Sequence, residues 1–260
     1  MEPDGATQAG VGRIEVFGVG GLPEITEGMD LARMIADAAR AQGDELRDGD
    51  VVLVTSKIVS KVEGRTVELD DVEPSEFALR WSAAWDKDPR VTEIVLRESR
   101  RIVRQLGPVL ITETHHGFCC ANSGVDQSSS GAAGRVLTLP LDPDSSCRAQ
   151  RARFAQLGAD VAVIMTDTFG RPWREGQTDV AIGIAGMHPL RSYIGQHDPH
   201  GHEFRVQEIC LADELAAAAE LVKGNTSRVP VAVVRGFDFE PDEGASMAPV
   251  LRDTERDLFR

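Results

Sequence analysis

The sequence predicts a mixed α/β (α+β) fold on three observations. Short β-branched apolar runs recur along the chain, segments with helical apolar spacing lie between them, and several of these segments have capping residues near their starts. At 260 residues and 42% hydrophobic, the chain can bury one large core or two modest ones without a disulfide or a structural metal.

Taken in order, residues 13–19 read as a first strand that runs into the glycine-rich stretch Gly18-Val19-Gly20-Gly21-Leu22-Pro23-Glu24-Ile25. Residues 30–41 carry helical spacing, and residues 51–59 form a β-branched run that predicts a strand buried on both faces. Helices are expected over 74–85 and 90–105. Gly107-Pro108 then introduces a short strand at 109–112. Residues 128–134 are small and polar, and Asp142-Pro143-Asp144-Ser145 marks a turn, which places a boundary between two lobes near 140 within a single domain spanning 1–260. Beyond it come a helix over 146–157 with Ser146 as a capping residue, strands at 161–166 and 180–185, a helix over 212–222 with Asp213 near its start, and a strand at 229–234. No internal repeat is present.

Composition excludes several classes of function. The formal charge is 28 − 42 = −14, so nucleic acid and anionic membrane surfaces would be repelled, while small anions stay accessible to local basic clusters. No apolar run approaches the roughly 20 residues of a membrane span. The N-terminal residues lack a signal-peptide pattern, so a cytoplasmic protein is expected. Cys119, Cys120, Cys147 and Cys210 show no CxxC spacing and read as reduced, mostly buried thiols.

The densest chemistry lies in Asp167-Thr168-Phe169-Gly170-Arg171-Pro172-Trp173-Arg174-Glu175-Gly176-Gln177, directly after an apolar strand. An acid and a hydroxyl at a strand end suit a divalent cation, and two arginines among glycines suit a phosphate. A second constellation, His115-His116-Gly117-Phe118-Cys119-Cys120-Ala121-Asn122-Ser123-Gly124-Val125-Asp126, follows the strand at 109–112. If the strands are neighbours, Asp126 and Asp167 share one or two divalent ions; otherwise each caps a turn. In a third, Thr55-Ser56-Lys57-Ile58-Val59-Ser60-Lys61, Lys61 suits a phosphate as a point charge, while Lys57 reads as the better candidate for a solvated strand end. His115 and His116 either polarise a substrate or bond to backbone. His197, His200 and His202 lie in an irregular Pro- and Gly-containing turn and read as solvated loop side chains rather than a zinc site. Serine catalysis is disfavoured by the absence of G-x-S-x-G, and Cys–His catalysis by side chains too close in sequence to face one another.

With these segments in view, the chain resembles the coenzyme F-420-0:gamma-glutamyl ligase family. The resemblance runs nearly end to end, through 18–25, 54–61, Lys87-Asp88-Pro89-Arg90, 122–128, 167–177, Ala212-Asp213-Glu214, 230–236 and the closing Asp257-Leu258-Phe259-Arg260. It implies a GTP-dependent ligase that joins coenzyme F-420-0 to L-glutamate with release of GDP, adds further gamma-linked glutamates in some cases, and uses Mg²⁺ or Mn²⁺, two per site, with K⁺ as an optional further ion. It also implies an unusual two-lobed fold that intertwines as a homodimer. By position, Asp126, Asp167 and Thr168 match the family's metal ligands, and Leu22, Pro23, Glu24, Ile25, Ser56 and Lys61 its GTP contacts. Gly224 belongs to the same nucleotide-binding set.

Three departures accompany the match. Ser129 stands where the family usually has a nucleotide-contacting asparagine, and Asn225 where it usually has Glu or Gln near the second metal. A two-domain mycobacterial relative continues into a reductase-like domain, whereas this chain stops at Arg260, so a ligase domain alone is expected. The expected chemistry has Asp126, Asp167, Lys61 and Arg171 as catalytic groups, stabilising the γ-phosphoryl transfer that activates a carboxylate. The competing expectations are an amide ligase for another acid, a nucleotide-binding homologue without turnover, and a metal-free deazaflavin-binding module.

Overall fold

A computed structural model describes residues 12–127 and 134–258, so Ser129 and the closing Phe259-Arg260 lie outside the described residues. In chain order the elements are β1 (Glu15–Val19), α1 (Leu31–Ala41), β2 (Val51–Thr55), α2 (Ser56–Val62), β3 (Thr66–Glu68), α3 (Glu76–Trp85), α4 (Pro89–Arg97), β4 (Ser99–Leu106), β5 (Val109–Thr114), β6 (Cys119–Ala121), β7 (Arg135–Leu137), α5 (Pro143–Gln156), β8 (Ala162–Arg171), β9 (Arg174–Ala185), β10 (Leu190–Ser192), β11 (Glu208–Cys210), α6 (Leu211–Lys223) and β12 (Val231–Arg235). The mixed α and β class is as expected.

A five-stranded sheet in the order β1-β12-β2-β8-β9 is the centre of the molecule. β2 and β8 run parallel, and the other neighbours are antiparallel. Val51, Val52, Leu53 and Val54 are buried, as are Val231, Ala232, Val233 and Val234, so both faces of these strands are covered. Helix α1 places Leu31, Ala32, Ile35, Ala36 and Ala39 against this core at helical spacing, with Asp30 capping its start by accepting from the Arg33 amide. Helix α5 approaches β9 so closely that a Cβ at Gly183 would stand 2.6 Å from the backbone of Pro143. Only a glycine leaves room for the helix there. Residues 66–137 supply two of the smaller sheets, β3-β7 and β4-β5-β6, the other being β10-β11, and two small apolar clusters apart from the main core, one around Leu69, Ile94 and Val136 and one around Trp81, Val95 and Leu110.

Four element readings change. The strand expected over 51–59 ends at Thr55, and Ser56–Val62 is helical. Ile58, Val59 and Val62 fit the helical period and the β-branched composition equally well, and β2 stops where its pairing with β8 ends at Thr55↔Thr166. The helix expected over 90–105 ends at Arg97, because residues from Ser99 onward pair with β5; Ile102 and Val103 prolong the period of Ile94 and Val95 without belonging to that helix. The expected turn at Asp142-Pro143 is the start of α5. Asp142, rather than Ser146, is the cap, accepting from the Ser145 amide, and Pro143 occupies the first turn; Asp213, the capping residue expected for the helix over 212–222, instead accepts from the Ala181 amide of β9. The strand expected over 161–166 runs on to Arg171, so the charged stretch is the far half of a long β8–β9 hairpin, turning at Pro172-Trp173.

Candidate active site

Strand register brings distant segments to one end of the central sheet. Thr55 pairs with Thr166 in the parallel β2–β8 pair, so the next residues, Ser56 and Asp167, emerge side by side and the Ser56 hydroxyl donates to Asp167 Oδ1 at 3.1 Å. Strand β12 begins at this end, since Val231 pairs with both Val54 and Val19, and the latter pairing places the exit of β1 there as well. Residues 22–25 after β1, the first turns of α2, Thr168 of β8 and residues 223–230 before β12 therefore enclose one cavity of about 450 Å³. In open α/β sheets ligands bind beyond the carboxyl ends of parallel strands, which is where this cavity lies.

Helix α2 brings two lysines to the cavity. Lys57 and Lys61 are four residues apart, so both fall on one side of the helix, and both line the cavity with Arg228. Lys61 Nζ lies 2.5 Å from Glu24 Oε1, and this pairing holds the Glu24 carboxyl below its ordinary pKa. Lys57 Nζ lies 2.9 Å from Asp126 Oδ2. The Asp126 backbone is held by reciprocal hydrogen bonds with Leu137 at 2.9 and 2.8 Å, so the carboxylate reaches α2 from the part of the chain that builds two of the smaller sheets.

Asp167 is the most perturbed carboxyl of the site. Burial raises its pKa to about 6; the Ser56 hydroxyl, the Thr168 amide and the Lys57 charge oppose that rise, and Asp179 adds to it. Lys57 thus forms an ion pair with Asp126 and also acts electrostatically on Asp167, which ties the two expected acids into one constellation. Burial likewise raises the Glu220 carboxyl, with Asp179 the next cause.

A second network lies deeper. Lys223 Nζ donates to Asp179 Oδ2 at 2.6 Å and to Thr166 Oγ1 at 2.7 Å, and the Thr168 hydroxyl donates to Asp179 Oδ1 at 2.7 Å. The Lys223 and Asp179 side chains are 4% and 3% exposed, so this is a buried, hydrogen-bonded ion pair. Sequence reading missed Asp179, Glu220 and Lys223. One signal was available for the lysine: Leu211, Leu215 and Ala219 mark the buried stripe of α6 at four-residue intervals, and Lys223 is the next position on it.

Of the residues expected at the site, Leu22, Pro23, Glu24, Ile25, Lys61, Thr168, Gly224 and Asn225 line the cavity, and Ser56, Asp126 and Asp167 adjoin it through the bonds just described. Lys57 is a cavity residue rather than a solvated strand end. Arg171 stands apart, exposed on the hairpin, where its guanidinium donates to the Glu175 carbonyl at 3.0 Å and the Gly176 carbonyl at 3.4 Å. Arg174 is exposed on the same hairpin. The His115 ring bonds the Arg97 carbonyl at 2.8 Å and the His116 ring the Pro140 carbonyl at 2.9 Å, the backbone reading for both. His197, His200 and His202 are loop side chains, and Cys120, Cys147 and Cys210 are free thiols. Burial pushes the Cys120 thiol up to about 12, which removes its thiolate at neutral pH.

Among the described residues no three His, Cys, Asp or Glu side chains converge as a ready metal cage. The oxygens present are nevertheless hard donors: a half-buried carboxyl at Asp167 whose charge is incompletely compensated, the neighbouring Asp126, and the Thr168 hydroxyl. Mg²⁺ and Mn²⁺ suit such a set, and Mg²⁺ takes one or two protein carboxylates and completes its shell with phosphate and water. The donor chemistry therefore fits a divalent cation.

A family model described as F420-0:Gamma-glutamyl ligase matches residues 20–236. The chain is 39% identical over 252 residues to the coenzyme F420:L-glutamate ligase of Methanothermobacter thermautotrophicus, covering 95% of this chain and 99% of that protein. It is 42% identical over 258 residues to the protein of the same name in Methanopyrus kandleri, covering 93% and 100%, and 40% identical over 250 residues to the one in Archaeoglobus fulgidus, covering 95% and 97%. No helix among the described residues is long and apolar enough to cross a membrane.

Proposed function

The chain belongs to the F420-0:gamma-glutamyl ligase family, and from that premise we propose that it joins the carboxylate of coenzyme F-420-0 to the amine of L-glutamate at the expense of GTP. The observation that carries the proposal is the convergence of residues 22–25, α2, Thr168 and residues 223–230 on one cavity that gathers four basic side chains, Lys57, Lys61, Lys223 and Arg228, against three acidic ones, Glu24, Asp179 and Glu220, in a chain of net charge −14. A local cationic cluster of this kind attracts a polyphosphate that the rest of the surface would repel.

A carboxylate does not react with an amine until one of its oxygens becomes a good leaving group. In the proposed sequence a carboxylate oxygen of coenzyme F-420-0 attacks the γ-phosphorus, the bond from that phosphorus to the β-phosphate bridging oxygen breaks, and GDP departs. The glutamate amine then attacks the acyl carbon, the acyl carbon–oxygen bond to phosphate breaks, and the amine loses a proton. Lys61 neutralises charge gathering on the transferred phosphoryl group, and Ser56 and Leu22 to Ile25 seat the nucleotide. Asp126, Asp167 and Thr168 would hold Mg²⁺ or Mn²⁺, with Asn225 beside a second ion and K⁺ as a further one; the divalent ion would supply Lewis-acid stabilisation of phosphate charge. Lys57, paired with the Asp126 carboxylate at 2.9 Å, orients it. Arg171, turned back on its own hairpin, is left out of this assignment. A homodimer belongs to the same proposal.

The test is mass spectrometry of the product formed from coenzyme F-420-0, GTP, Mn²⁺ and L-glutamate, with GDP release followed in parallel. A product heavier by one or more glutamyl residues, with GDP formed only when both acceptor and glutamate are present, supports the reading; GDP release without ligated product overturns it. Transfer of ¹⁸O from the substrate carboxylate into phosphate tests the acyl phosphate, and its absence excludes that intermediate.

A further inference from the structure

We infer that Asp179, held by the buried ammonium of Lys223, is a positioning residue that turns the Thr168 hydroxyl into an acceptor-only group facing the cavity, so that it recognises a cation and not a phosphate oxygen. The inference deepens the proposed function and rests on its reading of Thr168 as a cation ligand.

The argument is an inventory of protons. Lys223 is an ammonium with three donors and no acceptor, and it spends two of them on Asp179 Oδ2 and Thr166 Oγ1. Asp179, ion-paired with that ammonium, accepts at Oδ2 from Lys223 and from Thr166 Oγ1 and at Oδ1 from Thr168 Oγ1, and the Glu220 carboxyl, whose pKa burial raises, also hydrogen-bonds it. A threonine hydroxyl has one hydrogen. In Thr168 that hydrogen is committed to Asp179 at 2.7 Å, so only lone pairs remain for the cavity that Thr168 lines. Phosphate oxygens are themselves acceptors and find no donor in that hydroxyl, whereas a divalent cation finds a ligand in it.

The network is also stiff. Lys223 and Asp179 are almost wholly buried, Thr166 is fully buried, and β8 and β9 are hydrogen-bonded neighbours with Thr168 opposite Asp179 in the register. The short bond across that register therefore holds the hydroxyl in one orientation. Outer partners of this kind fix the orientation of a metal ligand, and their loss typically costs roughly 10- to 100-fold in metal affinity.

The test is Mn²⁺ binding to the full chain without nucleotide, read by electron paramagnetic resonance, for the parent, Asp179→Asn, Thr168→Val, Thr168→Ser and the Thr168→Val/Asp179→Asn pair, with circular dichroism as the check on folding. If Asp179→Asn leaves its buried lysine unpaired and does not fold, Asp179→Asn combined with Lys223→Met removes both charges and replaces it in the series, alone and on Thr168→Val. Asp179→Asn, or that replacement, is expected to weaken Mn²⁺ roughly 10- to 100-fold, Thr168→Ser to retain parent affinity, and the Asp179 change to have no further effect on Thr168→Val, because it acts through that hydroxyl. Parent-like Mn²⁺ affinity in the folded Asp179 variant, or an additive loss on Thr168→Val, overturns the positioning role while leaving the cation reading intact. A parent protein that binds no Mn²⁺ overturns both.

Discussion

Lys57 Nζ and Asp126 Oδ2 lie 2.9 Å apart, and that ion pair joins the first turn of α2 to a distant segment of the chain that also carries two of the smaller sheets. Lys57 also lowers the proton affinity of Asp167 through its charge. One lysine therefore governs both acids assigned to the divalent cation. Lys57→Gln is expected to change thermal stability by less than about 1 kcal/mol, since the lysine is partly exposed, yet to lower ligation roughly 10- to 100-fold by releasing Asp126. Calorimetry with a coupled GDP assay checks both; turnover within a factor of about two of the parent would remove Lys57 from the site.

Asp167→Asn separates stability from function. The Asp167 pKa is raised from 3.8 to about 6 in the folded chain. Between those values the native state holds more protons than the unfolded state, so this carboxyl makes stability fall as pH rises, and the cost is fully present above the folded value. In chelator, Asp167→Asn should be more stable than the parent at neutral pH by on the order of 2 kcal/mol, with the difference closing below pH about 4. Ligation should fall by about 100-fold or more. Urea titrations across pH decide the first point, and a variant less stable than the parent at neutral pH contradicts it.

Lys223→Met leaves Asp179 buried without its cation and should cost about 3 to 5 kcal/mol. Adding Asp179→Asn removes the stranded charge and should recover much of that loss. Chemical denaturation of the two variants is the measurement, and equal destabilisation of both would show that packing, not charge, sets the cost.

Lys61 and Arg171 are expected to part company. Lys61 faces the cavity, while Arg171 bonds carbonyls of its own hairpin. Lys61→Ala should lower ligation by about 100-fold, and Arg171→Ala by less than about threefold. Steady-state kinetics of both variants tests this, and a larger loss at Arg171 would place the hairpin over the nucleotide.

Gly183→Ala should destabilise by about 1 to 3 kcal/mol, because its Cβ would lie 2.6 Å from backbone atoms of Pro143 and α5 would have to shift. A melting temperature unchanged from the parent would show that α5 is less firmly seated than its contacts indicate.

Much of the fold was legible in the residues. The apolar runs at 51–55, 162–166 and 231–234 are core strands because nearly every side chain in them is buried, a requirement that leaves a continuous hydrophobic signature. Residues 56–59 and 98–105 were misread because short segments satisfy both periods, and only pairing with β8 or β5 decides between them.

By itself the sequence determined the mixed α and β class, the core strands, and the motifs at Lys61, Asp126 and Asp167-Thr168, since local composition and spacing carry these. Only the tertiary structure decided that Lys57 belongs to the cavity, that Lys223 lies buried against Asp179 44 positions earlier, and that Arg171 points away. The reason is physical: which charges meet depends on strand register and on which face of a helix or strand looks inward, and those are settled by packing between distant segments rather than by any residue's neighbours in the chain.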